Sequence, residues 1–131
     1  MSIGAAIAAP DRPVLCLESD GSAMYTISSL WSHARESLDI TTVVFANHAY
    51  DILRMELQRV GAQSGGQRPG PAAESLLDLT SPTLDFVHIA EGMGVPARRA
   101  TTAEELADAL RWAFGESGPH LIEAVMPSMG S

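Results

Sequence analysis

The sequence predicts an α/β domain in which a parallel sheet is flanked by helices, and three observations carry that prediction. Short apolar or β-branched runs alternate along the chain with longer amphipathic stretches, the pattern of strands joined by helical crossovers. The runs Val14–Leu17, Thr41–Ala46 and His120–Met126 are nearly free of charge, as expected of strands covered on both faces. Helix-start and helix-stop signals punctuate the stretches between them. Strand order does not follow from this pattern.

Each element has its own reason. Val14-Leu-Cys-Leu17 follows Pro13 and ends at Glu18-Ser-Asp-Gly21, a short strand expected to be buried on both faces. From Ser22 to Leu38 the apolar positions Met24, Ile27, Leu30, Trp31, Ala34 and Leu38 recur in steps of three and four. One amphipathic helix with Ser22 as N-cap is therefore expected. Thr41–Ala46 is a second strand ending at Asn47, and Ile52–Val60 a further helix. Gly61–Ala73 is rich in glycine and proline without apolar periodicity, which predicts a surface loop. Leu84–Gly92 reads as a short helix and Gly94–Ala100 as a short strand with its flanks. Thr102-Ala-Glu-Glu105 is a capping box opening a helix with Leu106, Leu110, Ala113 and Phe114 on one face. Gly115, Gly118 and Pro119 end it, and His120–Met126 is the last strand.

Composition removes several function classes. All eight basic residues are arginine against sixteen acids, for a net charge of −8. No basic stripe is available to displace counterions, so no nucleic-acid partner is expected. The absence of lysine excludes a P-loop and a Schiff-base mechanism for this chain. It also argues against a receiver-like signalling module, whose acidic pocket uses a lysine. Cys16 is a lone cysteine in an apolar run and reads as a small buried hydrophobe. No apolar run is long enough to span a membrane. The stretch MSIGAAIAAPDRP lacks the basic region of a secretory signal, so a cytoplasmic location is expected.

Ligands of parallel sheets bind beyond the carboxyl ends of the strands. Two such ends carry oxygen donors here, Asp20 after the first strand and Asn47 after the second. A helix over 22–38 runs about 25 Å away from Asp20 at 1.5 Å per residue. A strand over 41–46 returns about 20 Å at 3.3 Å per residue, which leaves both residues on one edge of the sheet. A carboxylate, an amide oxygen and a main-chain carbonyl suit Mg²⁺ bound together with a phosphate ligand. The N–H groups at Gly21 and Ser22, where the helix starts, can hold a diphosphate.

These residues carry a resemblance. Ser19-Asp20-Gly21-Ser22 and Ala46-Asn47-His48-Ala49-Tyr50 stand where thiamine-diphosphate enzymes have Gly-Asp-Gly and, after a helix and a strand, Asn-Asn. The stretch SAMYTISSLWSHARESLDITTVVFANHAYDIL is similar to acetolactate synthase-like and benzoylformate decarboxylase-like members, and the similarity continues to GPHLIEAVMP. The position where pyruvate decarboxylase-like members have an acid holds Leu53, in keeping with the first two branches. The resemblance implies the diphosphate-domain fold lacking its first strand: residues 1–131 would be a C-terminal thiamine-diphosphate-binding domain, truncated at its N-terminus. It implies that Asp20, the Asn47 side-chain oxygen and the Ala49 carbonyl bind Mg²⁺. Gly21 and Ser22 would contact the diphosphate, and Tyr50 would lie close to the cofactor.

Ser19 and Ala46 depart from the motif, and the pyrimidine-binding domain with its activating glutamate is not in this chain. The expected function is thus the thiamine diphosphate- and Mg²⁺-binding portion of a 2-oxo acid lyase or carboligase, inactive alone. A pyrimidine-domain partner chain or a homo-oligomer would complete it. The alternative is a non-catalytic remnant or interaction subunit that has lost the cofactor. His48, between two expected ligands, is placed to reach a substrate or to sit in an exposed loop. His33, His88 and His120 read as structural, and Trp31 and Trp112 as packing residues. Glu104, Glu105, Asp108 and Glu116 read as a solvated helix face. An edge left open by a missing strand predicts self-association.

Overall fold

A computed structural model describes residues 1–63 and 70–128 of the chain. In order, the elements are α1 (Ser2–Ala8), β1 (Val14–Ser19), α2 (Asp20–Ala23), α3 (Ser29–Arg35), β2 (Ile40–Ala46) and α4 (Asp51–Gln63). There follow α5 (Pro71–Ser75), α6 (Phe86–Gly92), β3 (Ala97–Ala100), α7 (Ala103–Gly115) and β4 (His120–Val125). The strands form one sheet in the order β1-β2-β4-β3, and every pairing is parallel. The predicted α/β class is therefore observed. Among the described residues no helix is long and apolar enough to cross a membrane.

Alternation along the two central strands builds the core. Val43 of β2 and Ile122 of β4 face α7 through Ala109 and Ala113. Val44 and Leu121, one residue on or back, face Leu30 of α3 and Phe86 and Ala90 of α6. A parallel sheet between two helical layers needs both sets, because successive side chains of a strand point to opposite faces. Trp112 of α7 meets His120 edge-on with ring centroids 4.7 Å apart. The Arg98 guanidinium of β3 lies over the same indole at 4.0 Å.

The capping chemistry is partly as predicted. Thr102 accepts from the Glu105 N–H at 3.1 Å, while the Glu105 carboxylate reaches back to the Thr101 N–H at 2.7 Å. Asp85 caps α6 by accepting from the His88 N–H. That bond, followed by the His88 and Arg99 side chains, holds the Asp85 carboxyl well below the usual carboxylate range. At the end of α3, Ser37 adopts φ +48°. Its N–H bonds to the Ala34 carbonyl and the Leu38 N–H to the His33 carbonyl, the double closure of a Schellman turn.

Three expectations are corrected. The single helix over 22–38 is two pieces separated by a turn. Tyr25, Thr26, Ser29, Leu30 and Trp31 each bond to the carbonyl three residues back, the tighter closure that short 3₁₀-type turns use. Thr26, Ser28 and Ser29 are weak helix formers, and the residue before the first helical position is Ser19 rather than Ser22. The first strand is not buried on both faces: β1 is the edge of the sheet, with Leu15 and Leu17 exposed. The predicted loop over 61–73 lies partly outside the described residues. Within them, α4 continues through Gly61 to Gln63 and Pro71 opens α5 as a first-turn proline.

Candidate functional site

Because β1 and β2 pair in parallel, with Ser19 opposite Phe45, both strands deliver their next residues to one rim. Asp20 is the first residue of α2 and is 2% exposed. Its Oδ1 accepts from the Gly21 N–H at 2.8 Å and its Oδ2 from the His48 N–H at 2.6 Å. These bonds fix the carboxylate in one orientation, and each oxygen keeps a further lone pair. His48 adopts φ +56°, a left-handed turn that brings the loop after β2 back toward Asp20.

Asn47 is held from both ends. Its Oδ1 accepts from the Ala49 N–H at 3.2 Å, and its Nδ2 donates to the Asp51 Oδ2 at 2.9 Å. An ionised carboxylate only accepts hydrogen bonds, so the NH₂ group must face Asp51 and the amide oxygen must turn away from it. Asp51 in turn accepts from the Ser128 hydroxyl at 3.1 Å and pairs with Arg54 at 3.4 Å. The 48–50 loop is clamped from outside by residues 77–79. The Tyr50 N–H donates to the Leu77 carbonyl, the Leu79 N–H to the His48 carbonyl, and Ala49 bridges Asp78.

The whole candidate set, Asp20, Gly21, Ser22, Asn47, Ala49 and Tyr50, lines one cavity of about 330 Å³. The Tyr50 ring lies so close over Gly21 that a Cβ there would collide with it. Ser19 has φ −86° and ψ 158°, an extended geometry open to any residue, so the first motif position does not demand glycine for its backbone. The Ser19 hydroxyl donates to the Ser22 hydroxyl at 2.9 Å. The Gly21 N–H is already engaged by Asp20, and the Ser22 hydroxyl, which accepts from Ser19, keeps its own proton to donate.

Among the described residues no cluster of three His, Cys, Asp or Glu could cage a metal ion. The residues that line the cavity offer instead a buried carboxylate, an amide oxygen and the main-chain carbonyl group of Ala49. All are hard oxygens, with positions left over for water and phosphate, and that set fits Mg²⁺.

Other expectations resolve differently. His48 does not line this cavity with its neighbours. It borders a second one of about 350 Å³ with Asp85, Arg99 and Glu123, and its Nδ1 is buried without a hydrogen bond. There Arg99 pairs with the buried Glu123 at 2.8 Å and with Asp85 at 3.0 Å. His33 is on the buried face of α3, in keeping with a structural role, and burial pushes its pKa down. Sequence reasoning missed Asp51. Its only signal was an acid at the start of a helix, which ordinarily reads as a favourable dipole contact.

Comparison with known proteins places this geometry. The family described as "Thiamine pyrophosphate enzyme, C-terminal TPP binding domain" matches residues 1–124. The chain is 73% identical over 128 residues to a Mycobacterium tuberculosis protein named as acetolactate synthase large subunit IlvX, covering 98% of this chain and 24% of that one. It is 38% identical over 122 residues to benzoylformate decarboxylase of Pseudomonas aeruginosa, covering 93% and 21%. A solved thiamine diphosphate-dependent 4-hydroxybenzoylformate decarboxylase of Rhodococcus jostii RHA1 superposes with a TM-score of 0.83 at 36% identity, over 99% of this chain and 23% of that one. The chain thus spans about a quarter or less of the length of these relatives.

Proposed function

We propose, because this chain belongs to the thiamine pyrophosphate enzyme family and matches its C-terminal TPP-binding domain, that it anchors the diphosphate end of thiamine diphosphate through Mg²⁺. The observation that carries the proposal is the convergence of Asp20 and Asn47, distant in sequence, on one 330 Å³ cavity at the sheet rim. Asp20, the Asn47 Oδ1 and the Ala49 carbonyl would hold the ion. The Ser22 N–H and hydroxyl would meet the diphosphate, with Gly21 allowing close approach of the backbone. Tyr50 would lie alongside the cofactor.

When bound, thiamine diphosphate supplies a carbon acid and electron sink for 2-oxo acid chemistry. The residues of this chain bind and orient its diphosphate. Asp20 and Ser22 sit on a turn fixed by main-chain bonds, so little reorganisation accompanies binding. The relatives that carry decarboxylase or acetolactate synthase names are about four times longer. We therefore assign to this chain cofactor anchoring as part of a 2-oxo acid lyase or carboligase, with no turnover when purified alone.

Calorimetry on the purified chain tests this. Thiamine diphosphate should bind in the presence of Mg²⁺ and not with a chelator. Asp20→Asn should abolish the Mg²⁺-dependent component, and Asn47→Ala should weaken it while leaving it measurable. No heat at millimolar cofactor overturns the anchoring role in favour of a non-catalytic remnant. Steady acetolactate production from pyruvate by the chain alone overturns the assignment of inactivity.

A further inference from the structure

The geometry points to Asp51 as a positioning residue that decides which end of the Asn47 amide faces the bound cation, a role that rests on the ligand reading above. The argument starts from the ambiguity of an amide. Asn47 can present either an oxygen, which binds a cation, or an NH₂, which repels one. Asp51 resolves the choice because its carboxylate can only accept. The Asn47 Nδ2 donates to the Asp51 Oδ2 at 2.9 Å, so Oδ1 is left on the other side, where the Ala49 N–H also marks it as the oxygen end.

Asp51 is itself suited to hold a direction. It is buried, and among the described residues Asn47, Arg54 and Ser128 restrain it. Asn47 belongs to the loop after β2, and Arg54 lies one turn further along α4. Ser128 reaches it from beyond β4, donating at 3.1 and 3.2 Å to its two oxygens. Ser128 is brought there by the strand that carries it. The Met126 N–H donates to the Ala46 carbonyl, continuing the β2–β4 register past the end of the ladder. The far end of the chain thus stiffens a carboxylate that orients an amide one shell inward. Groups that orient a metal ligand in this way typically account for roughly a 10- to 100-fold difference in metal affinity.

The test uses the full chain with saturating thiamine diphosphate and Mn²⁺ as the probe, its free concentration read by electron paramagnetic resonance. Asp51→Ala should weaken Mn²⁺ binding about 10- to 100-fold. In an Asn47→Ala background the same substitution should cost nothing further, because its effect travels through the amide. Asp51→Asn preserves volume but no longer dictates which end of Asn47 points inward. It should lose less, with the same dependence on Asn47, and it serves if Asp51→Ala does not fold. Unchanged Mn²⁺ affinity in the Asp51 variants overturns the inference. An equal loss with and without Asn47 also overturns it, since Asp51 would then act on the ion directly or through bulk charge. Full affinity in Asn47→Ala and Asp20→Asn overturns the ligand reading beneath it, a pattern distinct from either of the others.

Discussion

The Asp20 carboxylate and the His48 main-chain N–H meet at 2.6 Å across 28 residues of sequence, and that bond ties the end of β1 to the loop after β2. It gives Asp20 a structural task that needs no ion. Asp20→Ala would strand the N–H groups of Gly21 and His48, at roughly 1–3 kcal/mol for each buried donor. Denaturant unfolding without cation should show a loss of about 2 kcal/mol or more. An unchanged midpoint would mean the loop is held by residues 77–79 alone.

Glu123 lies in a central strand at 1% exposure, paired with a half-exposed Arg99. Arg99→Ala leaves that carboxylate buried without its counter-charge and should cost about 3 kcal/mol, the low end for a broken buried pair. Pairing Arg99→Met with Glu123→Leu should recover most of the loss, because it removes the charge to be solvated. Thermal melts of the single and double variants decide the matter. A double variant no more stable than Arg99→Ala would contradict this account.

Ser37 pays for its place in the Schellman turn with a left-handed backbone. Glycine adopts that conformation without the Cβ clash, though it gives up more freedom on folding. Ser37→Gly should therefore raise stability by about 0.5–1 kcal/mol. A lowered Tm would show that the serine side chain contributes more than the strain removes.

His33 is 2% exposed, and neither ring nitrogen has a hydrogen-bond partner. Burial lowers its pKa from 6.5, so the folded chain keeps the ring neutral while the unfolded chain takes up a proton first. The stability this neutral ring protects is present above pH 6.5 and is lost as pH falls toward the folded pKa, at up to about 1.4 kcal/mol per pH unit. His33→Leu should flatten that acid limb in denaturation curves taken between pH 7 and 5. An identical slope in the variant would assign the limb to carboxylates.

Leu17 is 59% exposed on the edge strand, next to an exposed Leu15. An apolar open edge is a template for strand pairing. Light scattering should show concentration-dependent association, and Leu17→Lys should reduce it. A monodisperse monomer at high concentration would set this expectation aside.

The parts of the fold readable in the sequence were those set by local chemistry. The Thr102 cap, the apolar periodicity of α7 and the uncharged β2 run each carry their own signal, and each is found. The Asp20–Asn47 juxtaposition was also legible, because parallel strands must return to the same rim. What escaped depended on partners far along the chain. Glu123 is a charge inside a run expected to be covered on both faces, and its partner Arg99 lies on another strand. Asp51 looks like an ordinary helix-start acid until Asn47 and Ser128 close around it. The broken helix over 22–38 was hidden because its apolar spacing survives the turn, with Leu30 still reaching the core. His48 borders the second cavity from a left-handed turn, which no side-chain pattern announces.

The indole of Trp112, wedged between an imidazole and a guanidinium, makes this molecule its own optical gauge. Trp31 is 54% exposed, with Arg35 over its ring, so unfolding changes its surroundings less than those of Trp112. A shift in the fluorescence spectrum therefore weights the detachment of α7 from β3 and β4, on the half of the sheet away from Asp20. Spectroscopic melts would draw most of their signal from that half, and cofactor titrations should be followed by another signal.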